Sequence, residues 1–165
     1  HHFIDTQVLQ PAHMTNSGFF KMNQLPQNTA TGYIELENGE YKSNIYELPI
    51  IGGGDGGMYT TVKDMNCFWD SFVHGKIVNK DIVQEMIKPH SHTTNLSYGL
   101  GVWLEKSEDH YNLLLIGQDP GVSFESGYNP QTKRIHTIIS NTESGAWVLS
   151  KLLLELSLKR DTIGL

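Results

Sequence analysis

The sequence predicts an α+β fold in which an antiparallel sheet carries a packed C-terminal helix. Four β-branched or aromatic runs fill residues 98–105, 110–117, 122–128 and 134–140. Turn chemistry separates them: Lys106-Ser107-Glu108-Asp109, then Asp119-Pro120-Gly121, then Asn129-Pro130-Gln131. Connections this short join neighbouring strands antiparallel. The strands are followed by an apolar helical stretch, the pattern of segregated strands and helices.

Upstream, Phe3, Ile4 and Val8 continue a helical apolar spacing, so residues 2–9 read as a short helix stopped by Pro11. A chain that opens inside such a spacing leads us to expect further sequence before it. Residues 12–29, rich in Asn, Gln, Thr and Gly, read as a loop. Residues 30–36 and 41–47 read as a hairpin, with Asn38-Gly39 as a two-residue turn. A glycine-dense loop, Ile51-Gly52-Gly53-Gly54-Asp55-Gly56-Gly57, comes next.

The clearest helix begins after Thr61, an N-cap with Asp64 three residues on, as in a capping box. Val62, Met65, Phe68, Trp69, Phe72 and Val73 form its apolar face, and Gly75 stands at the C-terminal stop. Asn79 caps a second helix that buries Ile82, Val83, Met86 and Ile87 and ends at Pro89. A polar loop leads into the strands. The closing helix, about 142–159, carries Trp147, Val148, Leu149, Leu152, Leu153, Leu154, Leu156 and Leu158. It is apolar nearly all round, so both of its sides are expected to be covered.

The totals exclude several classes of function. Of 165 residues, 12 are basic and 18 acidic, a net charge of -6, and the basic residues are scattered. Nucleic acid is therefore not an expected partner. No apolar run approaches the roughly 18 residues that span a bilayer. A single cysteine, Cys67, allows no internal disulfide and no Cys-rich metal site, and it leaves the compartment open.

Other features carry two readings each. Gly52, Gly54 and Gly57 fit G-x-G-x-x-G, but Met58-Tyr59-Thr60 separates them from the helix, so a tightly packed loop is the better reading than a dinucleotide site. His90 and His92 lie in a polar loop with no third ligand in view, and no metal is expected. His110 and His136 read as structural. Ser123 and Ser126 read as strand residues, because Gly121-Val122-Ser123-Phe124-Glu125 lacks the second glycine of a nucleophile elbow. Gly99 and Gly101 alternate on one strand face, which implies close packing by a helix or a neighbouring strand.

Several segments resemble one family. Residues 56–65, Gly-Gly-Met-Tyr-Thr-Thr-Val-Lys-Asp-Met, are similar to the glycine-pair, tyrosine and double-threonine segment of class C-like β-lactamase relatives. Tyr98-Gly99-Leu100-Gly101-Val102-Trp103 resembles their Tyr-Gly-Leu-Gly strand. Residues 117–124 resemble their glycine-histidine motif strand, and Ile138-Ile139-Ser140-Asn141 the strand before the final helix. Phe3-Ile4, Pro11, Met14 and Ser17-Gly18-Phe19 resemble the segment that precedes these. Order and spacing agree over essentially the whole chain.

The chain thus resembles the C-terminal half of a serine hydrolase of the β-lactamase and penicillin-binding-protein type. The resemblance implies that residues 1–165 are a portion of one β-lactamase/transpeptidase-like domain. It implies acyl transfer, in which a serine attacks a carbonyl and water or another acceptor releases the acyl group. The family uses Ser-x-x-Lys, Tyr-x-Asn or Ser-x-Asn, and a Lys-or-His-x-Gly strand. The first two are absent here; Ser157 with Arg160 is the nearest approach, and arginine stays protonated. No catalytic residue is therefore expected within this chain, and the chain alone is expected to be inactive.

The third motif is altered. Gln118 takes the basic position, Pro120 takes the glycine position, and Gly121 follows one residue later. Gln118, Asp119, Gly121 and Val122 are the expected wall of the active site, with a backbone N–H near Val122 as one oxyanion donor. No cofactor is implied. The expected partners are the upstream half of the domain and a small acyl or peptide substrate, with a homodimer or swapped dimer when the chain is alone. The alternative is a non-catalytic relative that keeps the fold for binding or regulation, a reading that the neutral Gln118 sustains.

Overall fold

The computed structural model describes residues 1–107 and 109–153. Its centre is a six-stranded antiparallel meander in sequence order: β3 (Ser91–His92), β4 (Ser97–Tyr98), β5 (Trp103–Lys106), β6 (Tyr111–Asp119), β7 (Val122–Tyr128) and β8 (Ile135–Ser140). A separate hairpin pairs β1 (Tyr33–Glu35) with β2 (Tyr41–Ser43). The chain opens with a helical turn, α1 (His2–Ile4), that runs on as a wider-wound π turn through Asp5–Leu9. The fold is α+β, as the sequence predicts.

α2 (Val62–Val73) lies across one face of the sheet. Thr61 caps it, its hydroxyl accepting the Asp64 N–H at 3.1 Å, and Gly75 ends it with φ +75°. The 3.6-residue period brings Trp69 and Phe72 onto the face that meets the sheet, where they join Val83, Val102, Leu104 and Leu113 in the main core. Trp69 is fully buried; its ring stacks on Tyr128 and its Nε1 donates to Ser126 Oγ at 2.8 Å. Burying an aromatic side chain of this size contributes about 4–6 kcal/mol, and the indole N–H stays satisfied. A second cluster, Leu9, Ala12, Met14 and Met65, seats the N-terminal segment on the same helix.

Several strand and helix expectations need correction. Residues 98–105 are not one strand. Gly99 N–H donates to Val102 O at 2.8 Å and Gly101 has φ +82°, so the chain reverses between β4 and β5. The polar loop after Pro89 contains an edge strand, β3, which pairs with β4. The β1–β2 connection is a three-residue loop, since the ladder extends to Leu36 N–H donating to Glu40 O at 2.8 Å, with Gly39 at φ +81°. In α3 (Lys80–Met86), capped by Asn79, Val83 is buried but Ile82 is exposed.

Among the described residues, the C-terminal helix is covered on one side only. Residues 145–153 are helical, and Ala146 is fully buried against the sheet. Val148, Leu149, Leu152 and Leu153 stand exposed, contrary to the expectation that both sides are covered. Residues 154–159 of the predicted helix lie outside the described residues. No helix among the described residues is long and apolar enough to cross a membrane.

Candidate active site

The site expected from the sequence sits at the β6–β7 turn. Asp119 pairs with Val122, leaving Pro120-Gly121 as a two-residue reversal. Proline fixes its own φ near −65°, and Gly121 takes φ +74°, where a side chain is strained. Strand alternation then separates the candidate residues. Asp119 and Val122 share the face of Phe124, Ser126 and Tyr128, on which α2 packs. Gln118 pairs with Ser123 on the opposite face, the side of the C-terminal helix. Gln118 and Asp119 are both exposed; Gly121 is buried.

The glycine loop approaches this turn. A Cβ built on Gly56 would stand 3.5 Å from Oδ2 of Asp119. The loop closes on itself, with Gly53 N–H donating to Gly56 O at 2.8 Å. A Cβ on Gly52 would lie 2.5 Å from Gly57 O, a clash that explains the glycine. Gly18 and Tyr59 form a bridge between the loop and α2, so the glycines do not open the helix as a dinucleotide site requires. Burial pushes the Tyr59 phenol above its usual range, and its hydroxyl donates to the Met22 sulfur at 3.2 Å. Burial thus favours the protonated phenol.

Four residues that the sequence did not single out hold the turn. Asn44 Nδ2 donates to Pro120 O at 2.8 Å, and Tyr33 N–H donates to Gly121 O at 3.1 Å. Gly121 N–H donates to Glu143 Oε1 at 3.3 Å. A Cβ on Gly32 would fall 2.7 Å from Gly121 O. Asn44 and Pro120 are 76 residues apart, and Gly32 and Tyr33 reach the turn from farther still. No local periodicity marks them; a glycine before a strand and an asparagine after one are the only signals.

The remaining candidates are structural. Ser123 Oγ donates to Thr142 O at 2.7 Å and accepts Ala146 N–H at 3.0 Å, fixing the start of the C-terminal helix. Ser126 Oγ receives the Trp69 indole and lies 2.8 Å from Thr137 Oγ1. His90 bonds Glu85 O and His92 bonds Ser97 Oγ, so the two rings serve different partners. His136 pairs with Glu125 at 3.1 Å. Cys67 is half-buried and lines an open hollow of about 280 Å³ with Ala12, His13, Asp70 and Lys76, away from the β6–β7 turn.

No family profile matches the chain. Over 148 residues it is 25% identical to PbpX of Bacillus subtilis, a protein named as a penicillin-binding protein; the match covers 87% of this chain and 35% of PbpX. The solved penicillin-binding protein of Bacillus halodurans superposes with TM-score 0.89 at 36% identity, over 94% of this chain and 49% of that one. The chain is a relative of the penicillin-binding proteins. A D-stereospecific amidohydrolase from Streptomyces shares the fold, with TM-score 0.69 and 16% identity over 85% of this chain and 43% of that one. This penicillin-binding-protein relative therefore spans about a third to a half of the proteins it matches. The similarity covers most of its own length.

Proposed function

We propose that residues 1–165 form the C-terminal portion of a single β-lactamase-like domain in a serine acyl hydrolase. Its substrates are amides, esters or β-lactam and peptidoglycan-type acyl donors. The observation that carries this reading is the joint likeness, in sequence and in fold, to the Bacillus halodurans penicillin-binding protein over almost the whole chain. In this reading a serine Oγ outside the chain attacks the acyl carbonyl while its proton passes to a neighbouring base. The carbonyl–nitrogen or carbonyl–oxygen bond breaks, and water then hydrolyses the acyl-serine. The β6–β7 turn contributes one wall, with Gln118 on one face of the sheet, Asp119 and Val122 on the other and Gly121 at the turn, and a backbone N–H near Val122 serves as one oxyanion donor.

A second reading is supported by Gln118. A neutral amide brings no positive charge to a wall that, in the resemblance, carries a basic residue. A relative that kept the fold for binding would tolerate that change. Kinetics of the full gene product separate the two. A hydrolase gives a burst of nitrophenol from a nitrophenyl ester, followed by slower turnover, as an accumulating acyl-enzyme requires. A binding module gives neither burst nor turnover above the buffer rate, and that result would reject the hydrolase reading.

A further inference from the structure

The β1–β2 hairpin has little hydrophobic reason to stay where it is. Tyr33 and Tyr41 are exposed, and Ile34 is only half-buried. What holds the hairpin is a polar joint. Tyr33 N–H donates to both Gly121 O and Asn141 O, at 3.1 and 3.0 Å, and Asn141 Nδ2 donates to Thr31 O at 3.2 Å. At the centre of the joint is Asn44, 3% exposed, with its own N–H on Gly32 O at 3.0 Å and its side-chain amide on Pro120 O at 2.8 Å. The fit leaves no slack. A Cβ on Gly121 would stand 2.9 Å from Tyr33 N and 3.0 Å from Asn44 Cβ, and one on Gly32 would stand 2.3 Å from Asn44 Nδ2.

We propose that Asn44 is a positioning residue for the active-site wall: through Pro120 it fixes the β6–β7 turn and so aims the main chain of residues 119–122. The inference rests on the serine hydrolase reading above for its catalytic consequence. The chemistry is that of preorganisation. An amide that stabilises a developing oxyanion must be aimed before the charge appears, and a misplacement of about 1 Å costs on the order of a hundredfold in rate. The turn has a proline and a glycine at its tip and no side chain of its own to lock it. The carbonyls of Pro120 and Gly121 and the Gly121 N–H are instead tied to groups outside the turn, and Asn44 supplies the one bond from a buried side chain. Asn44 needs no contact with substrate to act in this way.

The test compares the full gene product with Asn44→Ala and, as a control on the same hairpin, Tyr41→Ala, whose ring is exposed. Two readouts are taken: amide hydrogen exchange of the peptide spanning 118–124, and the rate of covalent labelling by a fluorescent penicillin and by a fluorophosphonate. Asn44→Ala is expected to speed exchange in that peptide and to slow labelling about tenfold or more, while Tyr41→Ala changes neither. Unchanged exchange at 118–124, or faster exchange with unchanged labelling, overturns the proposal. If Asn44→Ala fails to fold, Asn44→Asp, which keeps the volume but turns the donor into an acceptor facing Pro120 O, is held to the same criteria. A wild-type protein that neither reagent labels rejects the hydrolase reading and the catalytic part of this one. Exchange at 118–124 then still decides whether Asn44 holds the turn.

Discussion

The carboxylate of Asp64 accepts the main-chain N–H of Asn16 at 2.7 Å. The same oxygen accepts the Ser17 hydroxyl at 2.7 Å, and the other oxygen lies 3.3 Å from Asn16 Nδ2. Asp64 is 1% exposed and no lysine or arginine pairs with it among the described residues, so these donors replace water around a buried charge. A capping box would send this side chain back to the Thr61 N–H; instead it reaches across to the N-terminal segment. Asp64→Ala strands three donors and leaves a void. The full gene product carrying it is expected to lose about 3 kcal/mol, read from urea unfolding. A loss under about 0.5 kcal/mol, within the range of neutral surface changes, would show that the segment is held by Leu9, Ala12 and Met14 alone.

Gly99 and Gly101 lie two residues apart and answer to different constraints. A Cβ on Gly99 would stand 2.0 Å from the carbonyl oxygen of Met86, at the end of α3, where Leu100 N–H also donates at 2.9 Å. A Cβ on Gly101 meets open space, and its cost is only the positive φ of +82°. Gly99→Ala is therefore expected to cost about 2–3 kcal/mol through displaced backbone, and Gly101→Ala about 1 kcal/mol. Equal losses in parallel denaturant titrations would contradict the assigned packing.

Glu125 links the sheet to the C-terminal helix, accepting from His136 on β8 and from the Ser150 hydroxyl. Burial pushes its carboxyl up. The hydrogen bonds from His136 and Ser150, with the charge of His136, outweigh burial and leave it below its ordinary value of 4.5. A depressed carboxyl contributes stability that is present above the unfolded value and is lost as pH falls through the folded one. Unfolding measured from about pH 6 down to about pH 3 should show that loss in the wild type, and Glu125→Gln should remove this part of the slope. A stability difference between the two proteins that stays constant over the range would sink the assignment.

Much of the sheet was legible because β6, β7 and β8 are β-branched and aromatic runs bounded by Pro, Gly and Asn. The α2 cap was legible because Thr61 and Gly75 mark the ends of a 3.6-residue apolar period. The reversal at Gly101 was hidden: Gly99 and Gly101 fall at a strand spacing, but Gly99 is required by the distant Met86 carbonyl and Gly101 by its positive φ. The exposed side of the C-terminal helix was misjudged because an apolar sequence records a face that favours burial, not what covers it. At the candidate site the Pro120-Gly121 turn could be read locally. Asn44 could not, since its bond to Pro120 spans 76 residues of sequence. The alternation that sets Gln118 and Asp119 on opposite faces follows once the strand is known to run without a bulge to Asp119.

In the proposed function this chain supplies one wall of a serine hydrolase whose nucleophile lies outside it. Intact mass of the 165-residue chain and of the full gene product, each incubated with a fluorophosphonate, tests it most directly. No adduct is expected on the 18.6 kDa chain, and a single adduct is expected on the full product, mapping to a serine outside residues 1–165. An adduct on a residue of the short chain, or none on the full product, would contradict it.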